Sequence, residues 1–151
     1  MKLISNAKQA FVTVCLCLIA LAPAYSREMV SIKGSVVNLR EGPGTRSEVL
    51  WELSRGYPLE VLKKQGRWIQ VRDFENDKGW VLGALTAKTP YHIVKAQKVN
   101  MRKGPGTRHP VTASLERYDL LRTLKKSGGW VRVKRQNGQV GWVLKRLLWG
   151  W

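Results

Sequence analysis

The chain has 151 residues, with 27 Lys and Arg against 10 Asp and Glu, and a formal net charge of +17. Its two cysteines, Cys15 and Cys17, sit in an apolar N-terminal run, and its two histidines are His92 and His109. A nucleophile–base pair or a metal cage needs convergent His, Cys, Asp or Glu side chains, so this composition points away from an enzyme and towards a binding protein with no cofactor and no metal.

The first stretch in chain order is the apolar run. Lys2 and Lys8 form a basic start, residues 10–21 are apolar, and Ala22, Pro23 and Ala24 make a small-residue cleavage site before Tyr25. That is the pattern of a secretory signal peptide over residues 1–24. The apolar part is shorter than the roughly 20 residues a spanning helix needs. Val14 and Leu16 precede the cysteines where a lipid-anchor signal would place a small residue. The expected location is therefore outside the cytoplasm, periplasmic or extracellular. The mature chain has no cysteine, so an oxidising compartment imposes no disulfide on it.

After a short polar lead-in the chain is organised by a duplication. VNLREGPGTR at residues 37–46 returns as VNMRKGPGTR at residues 99–108, 62 positions later. The register then holds without a gap: Gly66 and Trp68 fall on Gly128 and Trp130, and Gly79 and Trp80 fall on Gly141 and Trp142. Roughly half the positions from 37 to 85 match their partners, which indicates two small domains in tandem rather than a solenoid. Each unit is near the lower size limit for a self-sufficient core, so each must be compact and the two can lean on each other.

The first unit spans residues 29–86 and reads as short strands separated by turn signals. Residues 31–40 are β-prone and break at the Gly42-Pro43-Gly44 loop. Strands follow at 48–53, 59–64, 68–72 and 79–82, divided by turns at 55–58, 65–67 and 73–78, with room for one 3₁₀ turn within 81–85. Residues 87–90 form a linker that restricts the orientations of the units. The second unit repeats the plan over 91–148. Its distal turn contains Asn137-Gly138, a pair that favours a type I′ hairpin. Trp149, Gly150 and Trp151 form an aromatic tail without a counterpart in the first unit. Two tandem five-stranded all-β barrels are expected.

Three motifs in order, each found twice, resemble the bacterial SH3-like (SH3b) domain family. Asn38, Arg40, Gly42, Pro43 and Gly44 match its loop, as do Asn100, Arg102, Gly104, Pro105 and Gly106. The Gly66/Trp68 and Gly79/Trp80 pairs match its later strands, with Gly128/Trp130 and Gly141/Trp142 in the copy. The resemblance implies an SH3-like fold and an extracytoplasmic binding module, of a kind often attached to cell-wall enzymes and associated with peptidoglycan. No wall-cleaving domain accompanies the modules in this sequence.

Strand parity selects the candidate binding residues. Ile69 and Val71 must face the core, which turns Trp68, Gln70 and Arg72 to the other side. Trp130, Arg132 and Lys134 repeat that arrangement against Val131 and Val133. Trp68 and Trp130 are then either structural cover or aromatic platforms for a peptide or a sugar ring, while Trp80 and Trp142 read as structural. Glycines in the Gly-Pro-Gly loop permit positive φ. Arg40 and Arg102 either tie that loop to a carbonyl or meet a ligand carboxylate. Asp73, Glu75 and Asp77 alternate in a way that suggests a cation loop, but too few oxygens are offered, and a solvated turn is expected.

Charge divides the copies. Residues 25–88 hold 11 basic and 8 acidic residues, a net of +3, whereas residues 89–151 hold 14 and 2, a net of +12. Lys125, Lys126, Arg132, Lys134 and Arg135, together with Arg122, Lys145 and Arg146, crowd one small barrel. Solubility alone does not require that asymmetry, and a polyanion site accounts for it. Three partners follow as expectations: peptidoglycan or another anionic envelope polymer; an envelope protein bound as an extended peptide; or a nucleic acid, which an export signal argues against.

Overall fold

The computed structural model describes residues 26–151; the signal peptide expected over residues 1–24 lies outside the described residues. The first copy forms β1 (Met29–Ile32), β2 (Val36–Arg40), β3 (Val49–Ser54), β4 (Pro58–Gln65), β5 (Trp68–Arg72), β6 (Lys78–Leu82), a 3₁₀ turn (Gly83–Leu85) and β7 (Thr86–Ala87). The second forms β8 (Tyr91–Val94), β9 (Lys98–Arg102), β10 (Val111–Glu116), β11 (Leu120–Ser127), β12 (Trp130–Lys134), β13 (Val140–Leu144), a 3₁₀ turn (Lys145–Leu147) and β14 (Leu148–Gly150). These make two seven-stranded sheets in the same order, β3-β2-β6-β5-β4-β1-β7 and β10-β9-β13-β12-β11-β8-β14. Among the described residues no helix is long and apolar enough to cross a membrane.

Seven strands form in each copy where turn signals mark five. The stretch expected as one strand over 31–40 bends at 33–35, and the chain leaves its pairing with β4 for pairing with β3 and β6. Ala87, expected in the linker, pairs with Ser31 in β7. Trp149, expected in a tail without a counterpart, pairs with Ile93 in β14, which occupies the place of β7. Both short strands are held by a neighbour rather than by any pattern of their own.

The alternation within β5 is the one expected: Ile69 and Val71 are buried between half-buried Trp68, Gln70 and Arg72. Each copy closes a separate apolar core, around Leu39, Leu59, Val71 and Val81 in the first and around Met101, Leu121, Val133 and Val143 in the second. A Cβ on Gly79 would stand 2.6 Å from Leu39 Cγ, and one on Gly141 would stand 2.5 Å from Met101 Cγ. The glycine before each closing-strand tryptophan is thus fixed by the close approach of β6 to β2 and of β13 to β9.

Two turn expectations change. Gly138 has φ +89°, but Asn137 has no positive φ, so the pair makes no type I′ turn. The Gly138 N–H donates to the Arg135 carbonyl at 3.0 Å and the Arg135 N–H to the Gln139 carbonyl at 2.8 Å. This is a type I turn ending in a left-handed residue, a place taken by Asn76 (φ 71°) in the first copy. None of the four glycines of the Gly-Pro-Gly loops has positive φ. A Cβ at Gly104 would lie 2.6 Å from the ring of the exposed His109, whereas at Gly42 its one close neighbour is the rotatable Ser47 Oγ at 2.9 Å.

Candidate functional site

Register decides which side chains share the outer face of each sheet, because residues directly opposite on antiparallel strands project to the same side. In the second copy Trp130 is opposite Leu144 and Arg132 opposite Trp142, and Trp142 is opposite Arg102. On the other flank of β12, Lys125 is opposite Arg132 and Arg122 opposite Lys134. One face therefore gathers Arg102, Trp130, Arg132, Lys134 and Lys125, with Arg122 and Trp142 added. Lys126 is opposite the buried Val131, so it leaves this stripe. Arg135 follows β12 directly, half-buried, with Nη1 donating to Gln139 Oε1 at 3.2 Å.

At one end of the stripe Trp130 lines a groove of about 330 Å³ with Asn100, Arg102, Leu144, Leu147 and Lys98. The first copy has Asn38, Arg40, Trp68, Leu82 and Leu85 at the matching positions, and only Val36 departs, standing for Lys98. The duplicates agree at roughly half their positions overall, so the groove has diverged less than its surroundings.

Arg40 and Arg102 anchor the Gly-Pro-Gly loops. Arg40 Nη1 donates to the Ser47 carbonyl at 2.8 Å. Arg102 Nη1 donates to the carbonyls of Thr107 and His109, both at 2.9 Å. The Arg102 guanidinium thus lines the groove while Nη1 holds the loop. Trp80 is buried, with Lys63 Nζ 5.1 Å from its ring centroid; Trp142 is half-buried.

The outer face of the first copy is neutralised where the second is not. Glu60 is opposite Arg72, and their carboxylate and guanidinium pair at 2.7 Å. Off this face, since Lys64 is opposite the buried Ile69, Glu28 accepts from Lys64 at 2.8 Å and Lys88 at 2.7 Å, which holds its carboxyl below the usual range. The second copy replaces Glu60 with Arg122, Arg72 with Lys134 and Gln70 with Arg132. Like charges placed directly opposite destabilise a sheet pair, and the second copy has two such pairs side by side.

The acidic turn serves the fold. The carboxylate oxygens of Asp73, Glu75 and Asp77 come within 4.8 Å of one another, yet each of the first two is engaged. Asp73 Oδ1 accepts the N–H groups of Glu75 and Asp77 at 2.9 Å, and Oδ2 accepts from Tyr57 Oη at 3.3 Å. Burial raises the Asp73 pKa against those bonds, and burial with the Asp73 charge raises that of Tyr57. Glu75 reaches across to the second copy, where it accepts from Arg117 Nη2 at 2.7 Å and from Tyr118 Oη at 3.3 Å. Phe74 meets Tyr118 edge to face at 5.7 Å, and the Arg117 guanidinium lies 5.3 Å from the Phe74 ring.

The reciprocal contact is open. Ser54 and Arg55, in the first-copy turn equivalent to Glu116 and Arg117, face Arg135 and Gln136 across a cleft of about 450 Å³. Ser35, Tyr91, Leu120, Arg122 and Lys134 complete its walls. Gly56 (φ +86°) closes against Tyr91, whose ring would stand 2.6 Å from a Cβ there. Sequence reasoning missed Arg55 and Tyr91, because their neighbourhood exists only where the two copies meet. It also passed over Val49, Leu50 and Trp51, which are exposed on the edge strand β3, Trp51 by 59%.

Models described as "Bacterial SH3 domain" match residues 35–87 and residues 95–150. The chain is 26% identical over 141 residues to a Bacillus subtilis (strain 168) protein named "Putative N-acetylmuramoyl-L-alanine amidase YrvJ", covering 82% of this chain and 27% of that one. It is also 26% identical over 121 residues to the Staphylococcus aureus protein named "Probable cell wall amidase LytH", covering 64% of this chain and 40% of that one. The chain thus spans between about a quarter and two fifths of the length of these relatives. A solved NlpC/P60 family protein from Bacillus cereus ATCC 10987 is similar at 16% identity and a TM-score of 0.39, over 82% of this chain and 56% of that one.

Proposed function

The chain belongs to the bacterial SH3 domain family, and from that premise we propose that it is a non-enzymatic, extracytoplasmic binding protein for peptidoglycan or another anionic polymer of the cell envelope. The observation that supports this best is the outer face of the second copy. There Lys125, Arg132, Arg102 and Lys134 run alongside Trp130 and Trp142, a combination of charge for a polyanion and flat rings for sugar or peptide units. Similarity to a protein named a probable cell wall amidase supports a wall-directed reading, and the leader pattern at residues 1–24 agrees with export.

The test is co-sedimentation of residues 26–151 with purified peptidoglycan across a salt series, beside a variant with Lys125 and Arg132 replaced by Ser. Retention at moderate salt that the variant loses supports the reading. Failure to pellet even at low salt refutes it. A second reading, an adaptor that adds an extended peptide from an envelope protein, has its own support in the edge strand β3, whose Val49, Leu50 and Trp51 are exposed. One protein partner surviving moderate salt in an envelope pull-down, lost on Trp51→Ser, would favour it.

A further inference from the structure

We infer that the cleft between the two copies is a discrete site for a compact oxyanion, gripped by Arg55 of the first copy and by Arg122, Lys134 and Arg135 of the second. The ligand class is phosphate groups or closely spaced carboxylates, whose oxygens match the fork of a guanidinium. This goes beyond wall binding and does not depend on it.

The duplication itself supplies the argument, because each copy shows what the other lacks. At the positions of Arg122 and Lys134 the first copy has Glu60 and Arg72, joined by an ion pair at 2.7 Å. In the second copy the same two positions are still directly opposite on neighbouring strands, but both are cationic. The reciprocal contact between the copies repeats the pattern. Arg117 finds Glu75 at 2.7 Å; Arg55, its equivalent, faces a turn in which Asn137 stands in the place of Glu75 and Arg135 in the place of Asp73. Three carboxylates that the first copy places around this region thus become Arg122, Arg135 and Asn137 in the second.

What remains is a cleft of about 450 Å³ with four cationic side chains and no carboxylate in its walls. Among the described residues, none of the four forms an ion pair. Like charges gathered without a counter-charge repel one another. A bound oxyanion reverses that repulsion into attraction and takes up the role that Glu60 and Glu75 play in the closed arrangements. Because Arg55 belongs to one copy and the other three to its partner, the ligand also bridges the copies, and neither copy alone offers the complete site.

The experiment titrates residues 26–151 with inorganic pyrophosphate and, separately, with citrate, reading backbone amide and arginine Nε–H shifts by NMR. Saturable shifts of Ser54 and Arg55 in concert with Tyr91 and Gln136 are expected, and the stronger titrant identifies phosphate or carboxylate as the preferred group. Arg55→Ala is expected to weaken binding about tenfold, and Arg146→Ala, an equal loss of charge away from the cleft, by less than about twofold. Arg122→Glu is the sharper variant. It restores an acid opposite Lys134, as Glu60 stands opposite Arg72, so it should abolish binding and raise the melting temperature. Non-saturating shifts spread over Lys125, Lys126 and Arg132, or an Arg55→Ala protein that binds as tightly as the parent, would overturn the site. So would an Arg122→Glu protein that still binds. Retained pyrophosphate binding with no wall sedimentation would leave this site standing and remove the wall-binding reading alone.

Discussion

His92 makes a prediction with a defined pH window. It is 2% exposed on β8, with Nδ1 2.6 Å from Thr123 Oγ1. Burial pulls its pKa from 6.5 down to about 4; the Lys126 charge acts in the same direction, a backbone hydrogen bond at Trp151 opposes it, and Lys145 adds to the lowering. Between pH 6.5 and 4 the unfolded chain therefore binds a proton that the folded chain refuses. Stability from the neutral imidazole is complete above pH 6.5 and falls as the pH falls. The displacement corresponds to roughly 3 kcal/mol in full, of which about 2 kcal/mol is lost by pH 5. The first copy has Val30 at this position, which suggests His92→Val as the reference. Urea unfolding of both proteins at pH 7, 6, 5 and 4, followed through amide resonances of the second copy, isolates the histidine, because the carboxylates common to both cancel in the difference. The stability of the variant relative to the parent should rise by about 2 kcal/mol between pH 7 and 5. Parallel pH profiles would show that His92 is not held neutral by its surroundings.

Three further outcomes follow from the contacts. Glu75→Gln removes the charge that Arg117 meets across the copies, so residual dipolar couplings should report a wider range of relative orientations while each copy melts where it did before. Tyr118 has φ +73°, a conformation costing a tyrosine about 1–2 kcal/mol, against about 0.5–1.5 kcal/mol from its edge-to-face contact with Phe74. Tyr118→Gly should accordingly change the urea midpoint little, yet loosen the copies as Glu75→Gln does. Arg102 holds two loop carbonyls where Arg40 holds one, so Arg102→Ala should cost about 1–2 kcal/mol in thermal unfolding and Arg40→Ala about half that.

The parity of Trp68 and Trp130 was legible because each strand was written twice, with apolar partners at the same places. Lys126 shows where parity counting fails. Counted by twos from Arg122, it shares the stripe and Lys125 does not. A bulge between Thr123 and Lys125 inserts one residue and exchanges the two, and nothing in the run Thr123-Leu124-Lys125 announces it. The short strands β7 and β14 were hidden for another reason. Two or three residues have no period to read, and they become strands only because β1 and β8 offer them an edge. The Gly-Pro-Gly loops were recognised from the right residues, but none of their glycines takes the positive φ that glycine permits.

The charge asymmetry, visible as a bare count in the sequence, acquires a location only through the register. Glu60, Gln70 and Arg72 form the outer face of the first copy, and Arg122, Arg132 and Lys134 occupy the same face of the second. A duplicated fold already had a stable solution for these positions, an acid opposite a base. The second copy gives up that solution on one connected face while Asn100, Arg102, Trp130, Leu144 and Leu147 of the neighbouring groove keep the identities of their counterparts. Charge also changes elsewhere, with Lys103 for Glu41, Arg146 for Ala84 and Lys98 for Val36 at the groove itself. The face and cleft, however, are where an acid opposite a base becomes two bases opposite each other. A ligand spanning both would find common contacts in the groove and, in the second copy, an unmet demand for negative charge.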